Sequence, residues 1–179
     1  IRHILNHHAD PVLTFTDRDY LKDETWVSNY ALLGRHDASF DLQLYWPQME
    51  DAVRLANRYP SILMVLNHTG MPHDRTPEGI ENWRAGMRAL ASCDNIRCKI
   101  SGLGMLDHDW TVASIRPFVL DALEIFGVGR SMFASNFPVD KLFSDYDAIW
   151  DAFDEITADL SAAEREKLFV TNAEATYRI

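Results

Sequence analysis

The sequence has 179 residues, of which 47% are hydrophobic and 25% charged, so it is long and apolar enough for one domain with a sizeable core. A net charge of −10 without any cluster of Lys and Arg disfavours nucleic acid and anionic membrane surfaces as partners, and no apolar run approaches the roughly 20 residues that span a bilayer. Two cysteines are too few for a disulfide framework, so we expect buried thiols in a cytoplasmic protein, with homo-oligomer formation left open.

Strand and helix patterns alternate in the first half of the chain. Five consecutive apolar residues at 62–66 are typical of a strand that is buried on both faces. Pro47 suits the first turn of a helix because its φ angle is already helical, and Tyr59-Pro60 ends that helix. In chain order we predict a strand over 2–6, a helix over 17–33 closed by Gly34, a strand over 40–45, a helix over 47–58 and a strand over 62–66.

The alternation continues in the second half of the chain. Apolar residues recur at spacings of three and four from Ile80 to Leu90, as on the buried face of a helix. In chain order we predict a helix opened by Thr76-Pro77, a strand over 96–101, a helix from Ser114 to Gly127, a strand over 132–135, a helix capped by Ser144 and a last short helix with a capping box at Ser161-Ala-Ala-Glu164.

Five strands, each followed by a helix, predict a parallel α/β sheet with right-handed crossovers. Two architectures fit this pattern: part of a (β/α)8 TIM barrel, or an open doubly wound sheet. The open sheet usually binds a nucleotide through a glycine-rich loop, and no Gly-x-Gly-x-x-Gly or P-loop follows any strand, so the barrel is favoured. Because a barrel typically needs about 250 residues, we expect residues 1–179 to be the C-terminal portion of a single barrel domain, with an N-terminal part absent.

The carboxyl ends of the strands are where a barrel places its chemistry. The third strand ends at Asn67-His68, whose imidazole could bind a metal or act as a base when neutral, or polarise a carbonyl when protonated. A histidine held by a backbone partner fits the same position equally well. The fifth strand ends at Asn136, because Pro138 stops a central strand, and Asp140 follows in the exit loop.

Further polar side chains on the strands are candidates for substrate binding. Lys99 and Ser101 end the fourth strand beside glycines, although Lys99 could instead reach out between helices to a surface carboxylate. Arg2 is a planar cation suited to a carboxylate, or an exposed residue near the start of the chain. Gln43 and Tyr45 share one face of the second strand by alternation, and either orientation of that face is open. The remaining histidines are weaker signals, since they match no zinc-ligand spacing: His7, His8 and His73.

Four segments of the chain, in order, carry a family resemblance: Arg2-His3-Ile-Leu5, Val65-Leu-Asn67-His68-Thr-Gly70-Met-Pro72, Cys98-Lys99-Ile-Ser101-Gly102-Leu and Phe133-Ala-Ser135-Asn136-Phe-Pro138-Val. They resemble the amidohydrolase-related (amidohydrolase 2) TIM-barrel metal-dependent hydrolases, in the branch of the sugar lactonases and pyrone-dicarboxylate lactonases. The resemblance implies a (β/α)8 barrel of which this chain supplies about strands four to eight. It matches His68 to the histidine that polarises a lactone carbonyl, Arg2 to a substrate-binding arginine, and Asn136 to the position of the catalytic aspartate.

The asparagine at position 136 is a departure from that pattern. An amide cannot take a proton from water, so Asn136 could orient a water or a substrate, or ligate a metal weakly through its oxygen. The resemblance leaves the cofactor open between one divalent metal, zinc or manganese with His68 as a ligand, and a metal-free site. We expect a hydrolase whose small-molecule substrate is a lactone or similar cyclic ester of an acidic or sugar-derived compound. A zinc-dependent non-oxidative decarboxylase and a catalytically decayed, ligand-binding barrel are the alternatives.

Overall fold

The sheet is parallel throughout. The computed structural model describes residues 1–179, and its five strands lie side by side in chain order. Neighbouring strands are paired in register, from Arg2 opposite Asp41 near one edge to Cys98 opposite Ser131 near the other. A doubly wound sheet reverses its strand order at a switch point; the unbroken order here is that of a barrel wall and confirms the predicted fold class. The strands are β1 (Arg2–Ile4), β2 (Phe40–Gln43), β3 (Met64–Leu66), β4 (Ile96–Ile100) and β5 (Ser131–Phe133).

Helices form the second layer of the molecule. They are α1 (Glu24–Asn29), α2 (Ala31–Arg35), α3 (Met49–Arg58), α4 (Pro77–Ala91), α5 (Val112–Phe126), α6 (Tyr146–Ile156), α7 (Ala162–Glu166) and α8 (Asn172–Tyr177). The side chain of Thr76 accepts a hydrogen bond from the Gly79 N–H at 3.1 Å and so begins α4 as predicted. Because α3, α4, α5 and α6 pack against one another in this order, the helix layer follows the strand order of the sheet.

The first predicted helix is wrong in both its bounds and its continuity. The Asp23 carboxylate accepts hydrogen bonds from two backbone N–H groups of the following turn, at 2.9 and 3.1 Å, so α1 begins at Glu24 and not at residue 17. Gly34 does not close the helical segment but lies inside α2. The left-handed residue that follows the helix is Asp37, whose φ is 49°.

Other element boundaries differ from the prediction by a few residues. Thr111, not Ser114, caps α5, and Ser114 completes the capping box as the third residue of the helix. Asp145, not Ser144, caps α6. The last predicted helix is longer than expected, because α7 continues through the wider turn Lys167–Thr171 into α8. The strands are shorter than predicted, since the residues at their ends lie outside the regular pairing.

The sheet has one apolar face and one polar face. Leu42 and Leu44 are fully buried in the core that the strands share with the helices. Asp41, Gln43 and Tyr45 alternate with these leucines and therefore lie on the opposite face of β2 and its exit. Since the helices cover the apolar face, the polar face is the inner face of the barrel wall, and this decides the orientation that the sequence left open.

Both cysteines are buried free thiols, as predicted. Burial raises the pKa of the Cys98 thiol to about 12, so this group stays protonated and unreactive. None of the helices has the length and apolar character that crossing a membrane requires.

Candidate active site

The chain leaves β3 through a left-handed turn. Four consecutive residues, His68 to Met71, have φ angles between 47° and 64°, in a region that residues other than glycine rarely enter. The helix layer holds this turn, because the Trp83 indole donates a hydrogen bond to the Thr69 carbonyl at 2.9 Å. Gly70 is needed within it, since a Cβ there would lie 2.6 Å from a methionine side chain of α3. Backbone strain of this kind is concentrated at functional sites.

The turn places the His68 ring against the exit of β4. Its Nδ1 atom lies 3.0 Å from the Ser101 hydroxyl oxygen, and its Nε2 atom has no hydrogen-bond partner in the chain. Gly102 provides the space for the ring, because a Cβ at that position would lie 2.7 Å from the His68 Nδ1 atom. Burial, reinforced by the positive charges of Lys99 and Arg2, lowers the pKa of His68 to about 3. His68 is therefore neutral near pH 7, which removes the imidazolium from the roles that the sequence left open.

Asn136 and Asp140 meet in the exit loop of β5. The Asn136 amide nitrogen donates a hydrogen bond to the Asp140 Oδ1 atom at 2.7 Å. Asp140 is 3% exposed and borders a small cavity with Trp110 and Phe153 of the helix side, and burial raises the pKa of its carboxyl. Because a carboxylate only accepts hydrogen bonds, this contact turns the nitrogen of Asn136 towards Asp140 and leaves the Asn136 oxygen without a protein partner.

Asn67, one residue before His68, is a buried amide without any hydrogen bond from its side chain. It is 0% exposed, and neither its nitrogen nor its oxygen has a partner in the chain. The neighbouring amide of Gln43 is different, since it donates to the Asn6 side chain at 3.0 Å. Buried polar groups without partners are rare in proteins and call for an explanation such as a water or a ligand.

Arg2 and Lys99, both predicted to bind substrate, converge on one carboxylate within the chain. The Lys99 ammonium lies 2.9 Å from an Asp41 carboxylate oxygen and 2.8 Å from the Tyr177 hydroxyl, and the Arg2 guanidinium lies 3.2 Å from Asp41. Burial alone would raise the pKa of Asp41, but the adjacent Lys99 charge and the hydrogen bonds hold it below its usual range. The interpretation in which Lys99 reaches out between helices is wrong, because its partner Asp41 is on the inner face of the sheet. Substrate binding by Arg2 or Lys99 stays a prediction.

Three aromatic side chains from three successive strand exits meet at the same end of the sheet as His68. The Tyr45 ring lies 4.4 Å from the His73 ring and 5.9 Å from the His8 ring, between ring centres, and the two imidazoles are 5.2 Å apart. The sequence predicts Tyr45 as a substrate-binding residue but gives only weak signals for His8 and His73. The signal that could have found them is positional, since each follows a strand as Tyr45 does.

The predicted metal site requires several ligand side chains close together. The 179 described residues contain no group of three or more His, Cys, Asp or Glu side chains that could hold one ion. His68 supplies a single free nitrogen, whereas zinc sites usually take three or four protein ligands. These residues alone therefore do not fit a metal ion.

The strand order and the polar exits define a class of protein, the α/β barrel proteins whose binding and catalytic groups stand at the carboxyl ends of the strands. Within this class, the amidohydrolase family model matches residues 5–179, and the chain belongs to that family. The predicted family is confirmed.

Proteins similar to this chain include two bacterial relatives and a solved structure. The chain is 48% identical over 180 residues to the uncharacterized protein y4mH of Sinorhizobium fredii, covering 100% of this chain and 60% of that protein. It is 30% identical over 190 residues to an L-fucono-1,5-lactonase of Burkholderia multivorans, covering 99% of this chain and 62% of the lactonase. A crystal structure of a B. multivorans amidohydrolase with bound zinc has a TM-score of 0.87 at 29% identity, covering 99% of this chain and 63% of that one. The chain thus spans about three fifths of the length of these curated relatives.

Proposed function

We propose that the protein is a hydrolase that opens a lactone of a sugar-derived or acidic small molecule. The observation that carries the proposal is the His68 ring, which is neutral, fixed at Nδ1 by Ser101 and free at Nε2 at a strand exit. Family membership and the similarity to an L-fucono-1,5-lactonase of B. multivorans support the same reaction.

The proposed step is the addition of water to the lactone carbonyl carbon. The ring C–O ester bond then breaks, the ring oxygen takes up the proton that the added water loses, and the product is an open-chain hydroxy acid. When the Ser101 hydroxyl donates to the His68 Nδ1 atom, the ring carries its hydrogen on Nε2. His68 can then donate to the carbonyl oxygen as negative charge develops there. The Asn136 oxygen accepts a hydrogen bond from the attacking water, because Asp140 already holds the amide nitrogen.

Zinc or manganese remains a proposed cofactor of the intact protein. The one ligand that this chain offers is the His68 Nε2 atom. An Nε2 atom that ligates a metal carries no hydrogen, so metal binding at His68 is an alternative to the hydrogen bond from Nε2 to the lactone carbonyl. Elemental analysis of the protein purified without added metal tests the proposal. About one ion per chain that is lost in a His68→Gln variant supports it, and unchanged metal content in that variant contradicts His68 as a ligand.

The hydrolase proposal is tested by assaying the intact protein on sugar 1,5-lactones, with acid release followed by a pH indicator. We expect a His68→Gln variant to lose about 100-fold in kcat/KM, the usual effect of removing one donor to a developing oxyanion. The exposed His36, changed to Gln, is the matched control and should keep full activity. Equal activity of the His68→Gln variant and the parent protein would contradict the role given to His68.

Asn136→Asp separates the hydrolase from a decayed, ligand-binding barrel. If the parent protein is an active hydrolase in which Asn136 orients water, this variant loses activity, because two carboxylates would be forced together in the β5 exit loop. A parent protein that opens no lactone, together with a variant that does, would favour the decayed barrel. Release of carbon dioxide from an aromatic acid, without any lactone opening, would favour the decarboxylase.

A further inference from the structure

The aromatic rings of His8, Tyr45 and His73 form a cluster, here called the ring cluster, at the carboxyl end of the sheet. His8 follows β1, Tyr45 follows β2 and His73 follows β3, so the cluster joins three exit loops. Tyr45 is 1% exposed because the two imidazoles pack over it, whereas His8 and His73 are themselves partly exposed. The two imidazoles are therefore the parts of the cluster that are most accessible to a ligand.

The ring cluster holds several polar atoms that the chain leaves without partners. The His8 Nδ1 atom accepts a hydrogen bond from the Asp10 N–H at 3.0 Å, so a hydrogen on that ring is carried by Nε2, which has no partner. The His73 Nδ1 atom is buried and has no hydrogen-bond partner either. The Tyr45 hydroxyl makes no hydrogen bond within the chain. Aromatic packing alone does not require two imidazoles and a phenol, and three phenylalanines would pack without any unsatisfied polar atom.

The charges around the ring cluster indicate which ligand groups it suits. The acidic residues next to the two histidines are Asp10 and Asp74, and hydrogen bonds from Thr76 lower the pKa of Asp74, which keeps it ionised. The nearest cation along the chain, Arg75, is engaged by Asp107 at 2.9 Å. Burial lowers the pKa of His73, which therefore adds no positive charge near neutral pH. These residues therefore offer no positive charge to a substrate carboxylate, whereas a hydroxyl group would find donors, acceptors and aromatic faces.

We propose that the ring cluster is a substrate subsite that binds the ring hydroxyl groups of an uncharged, polyhydroxylated lactone. This inference rests on the proposed lactone hydrolysis and deepens it, because it assigns the selection of a hydroxylated over a carboxylated substrate to His8, Tyr45 and His73. In this arrangement the imidazoles contact the hydroxyl groups from the side, and the Tyr45 hydroxyl, which has no partner in the chain, forms a hydrogen bond to one of them from below.

Two six-membered lactones test the subsite in the intact protein. A hydroxylated sugar 1,5-lactone is compared with δ-valerolactone, which has the same ring and reacting ester but no hydroxyl groups. We expect Tyr45→Phe and His73→Phe each to lower kcat/KM for the sugar lactone about tenfold, the effect of losing one neutral hydrogen bond. Activity on δ-valerolactone should change less than about threefold, because Phe keeps the aromatic packing. The parent protein should prefer both lactones to 2-pyrone-4,6-dicarboxylate.

Tyr30→Phe is the matched control. The Tyr30 hydroxyl also has no partner, but its ring packs in the helix-side core, so this variant should treat both lactones as the parent does. An equal loss on both lactones in the Tyr45→Phe and His73→Phe variants, or no loss on either, would overturn the subsite.

A binding measurement covers the case in which the protein does not hydrolyse lactones at all. If the parent protein opens neither lactone, the sugar lactone is a stable ligand whose Kd can be measured by calorimetry. Weaker binding of the sugar lactone to Tyr45→Phe and His73→Phe than to Tyr30→Phe would then support the subsite and contradict the proposed hydrolysis. Equal Kd values in the parent and all three variants, or no binding at all, would contradict both the subsite and the hydrolysis.

Discussion

Two groups of polar side chains on the inner sheet face differ in how their polar atoms are partnered. In one group Arg2, Lys99 and Tyr177 all contact the Asp41 carboxylate, so charges are matched within the chain. In the other group, where β3 ends, the His68 Nε2 atom and both polar atoms of the Asn67 side chain have no partners. A closed network contributes to stability, whereas unmatched polar atoms are available to a ligand.

Removal of the Asp41 carboxylate should produce the largest effect, and it should be on stability. Asp41→Ala leaves the Lys99 ammonium buried without its counter-charge, since the two side chains are only 13% and 9% exposed. We expect the free energy of unfolding to fall by about 3 kcal/mol or more, measured by urea denaturation of the intact protein. Adding Lys99→Met to this variant should restore part of the loss, because the unpaired charge is gone.

Asp154→Ala is the control for the Asp41 prediction. Asp154 pairs with Arg165 but is 65% exposed, so its loss should cost less than about 1 kcal/mol. Similar losses in the Asp41 and Asp154 variants would mean that the inner network is no more stabilising than an exposed ion pair.

The next prediction concerns how stability depends on pH through His68. The pKa of His68 is about 3 in the folded protein and 6.5 as its ordinary value, so the folded state resists protonation that the unfolded state accepts. The folded protein therefore keeps the full stabilisation that comes from neutral His68 above pH 6.5, and it loses this stabilisation as the pH falls towards 3. Between pH 7 and pH 5 the parent should lose about 2 kcal/mol that a His68→Gln variant does not lose, measured by urea denaturation at each pH. Parallel pH profiles for the parent and the variant would show that His68 is not held neutral.

A smaller effect than that of Asp41 is expected at Gly102, which provides the space for the His68 ring. Gly102→Ala should cost about 1–2 kcal/mol in unfolding free energy, because φ is 65°, and it should also lower activity on lactones, because the new Cβ displaces the ring. Gly127→Ala is the control, since its φ is 74° but nothing lies within 4 Å of the added Cβ. That variant should lose stability and keep kcat. Unchanged kcat in Gly102→Ala would show that the ring position is unimportant.

Much of the fold follows from local sequence patterns. The run at 62–66 and the periodic apolar residues of α4 are signals that neighbouring residues carry by themselves, so the strand and helix order could be predicted. The first helix could not, because the Asp23 side chain satisfies the backbone of the following turn and overrides the longer apolar pattern. Cap residues at Thr111 and Asp145 were missed because a Ser nearby competes for the same role.

The candidate site was predictable in its location and less so in its contacts. The turn residues after β3 were enough to place His68 at a strand exit. Asp41 and Tyr177 are 136 positions apart, and no period or spacing connects such residues before the fold brings them together. The contacts of the ring cluster could not be predicted for the same reason, since His8 and His73 become neighbours only when β1 and β3 lie in one sheet.

The most direct test is a crystal structure of the intact protein with a bound sugar lactone or its hydroxy acid product. We expect the carbonyl or carboxyl oxygen to lie within about 3.2 Å of the His68 Nε2 atom and the sugar hydroxyl groups to face His8 and His73. A ligand bound instead at Arg2 and Lys99, with Asp41 displaced from them, would contradict the division of the inner face into a closed, stabilising network and an open, reactive group.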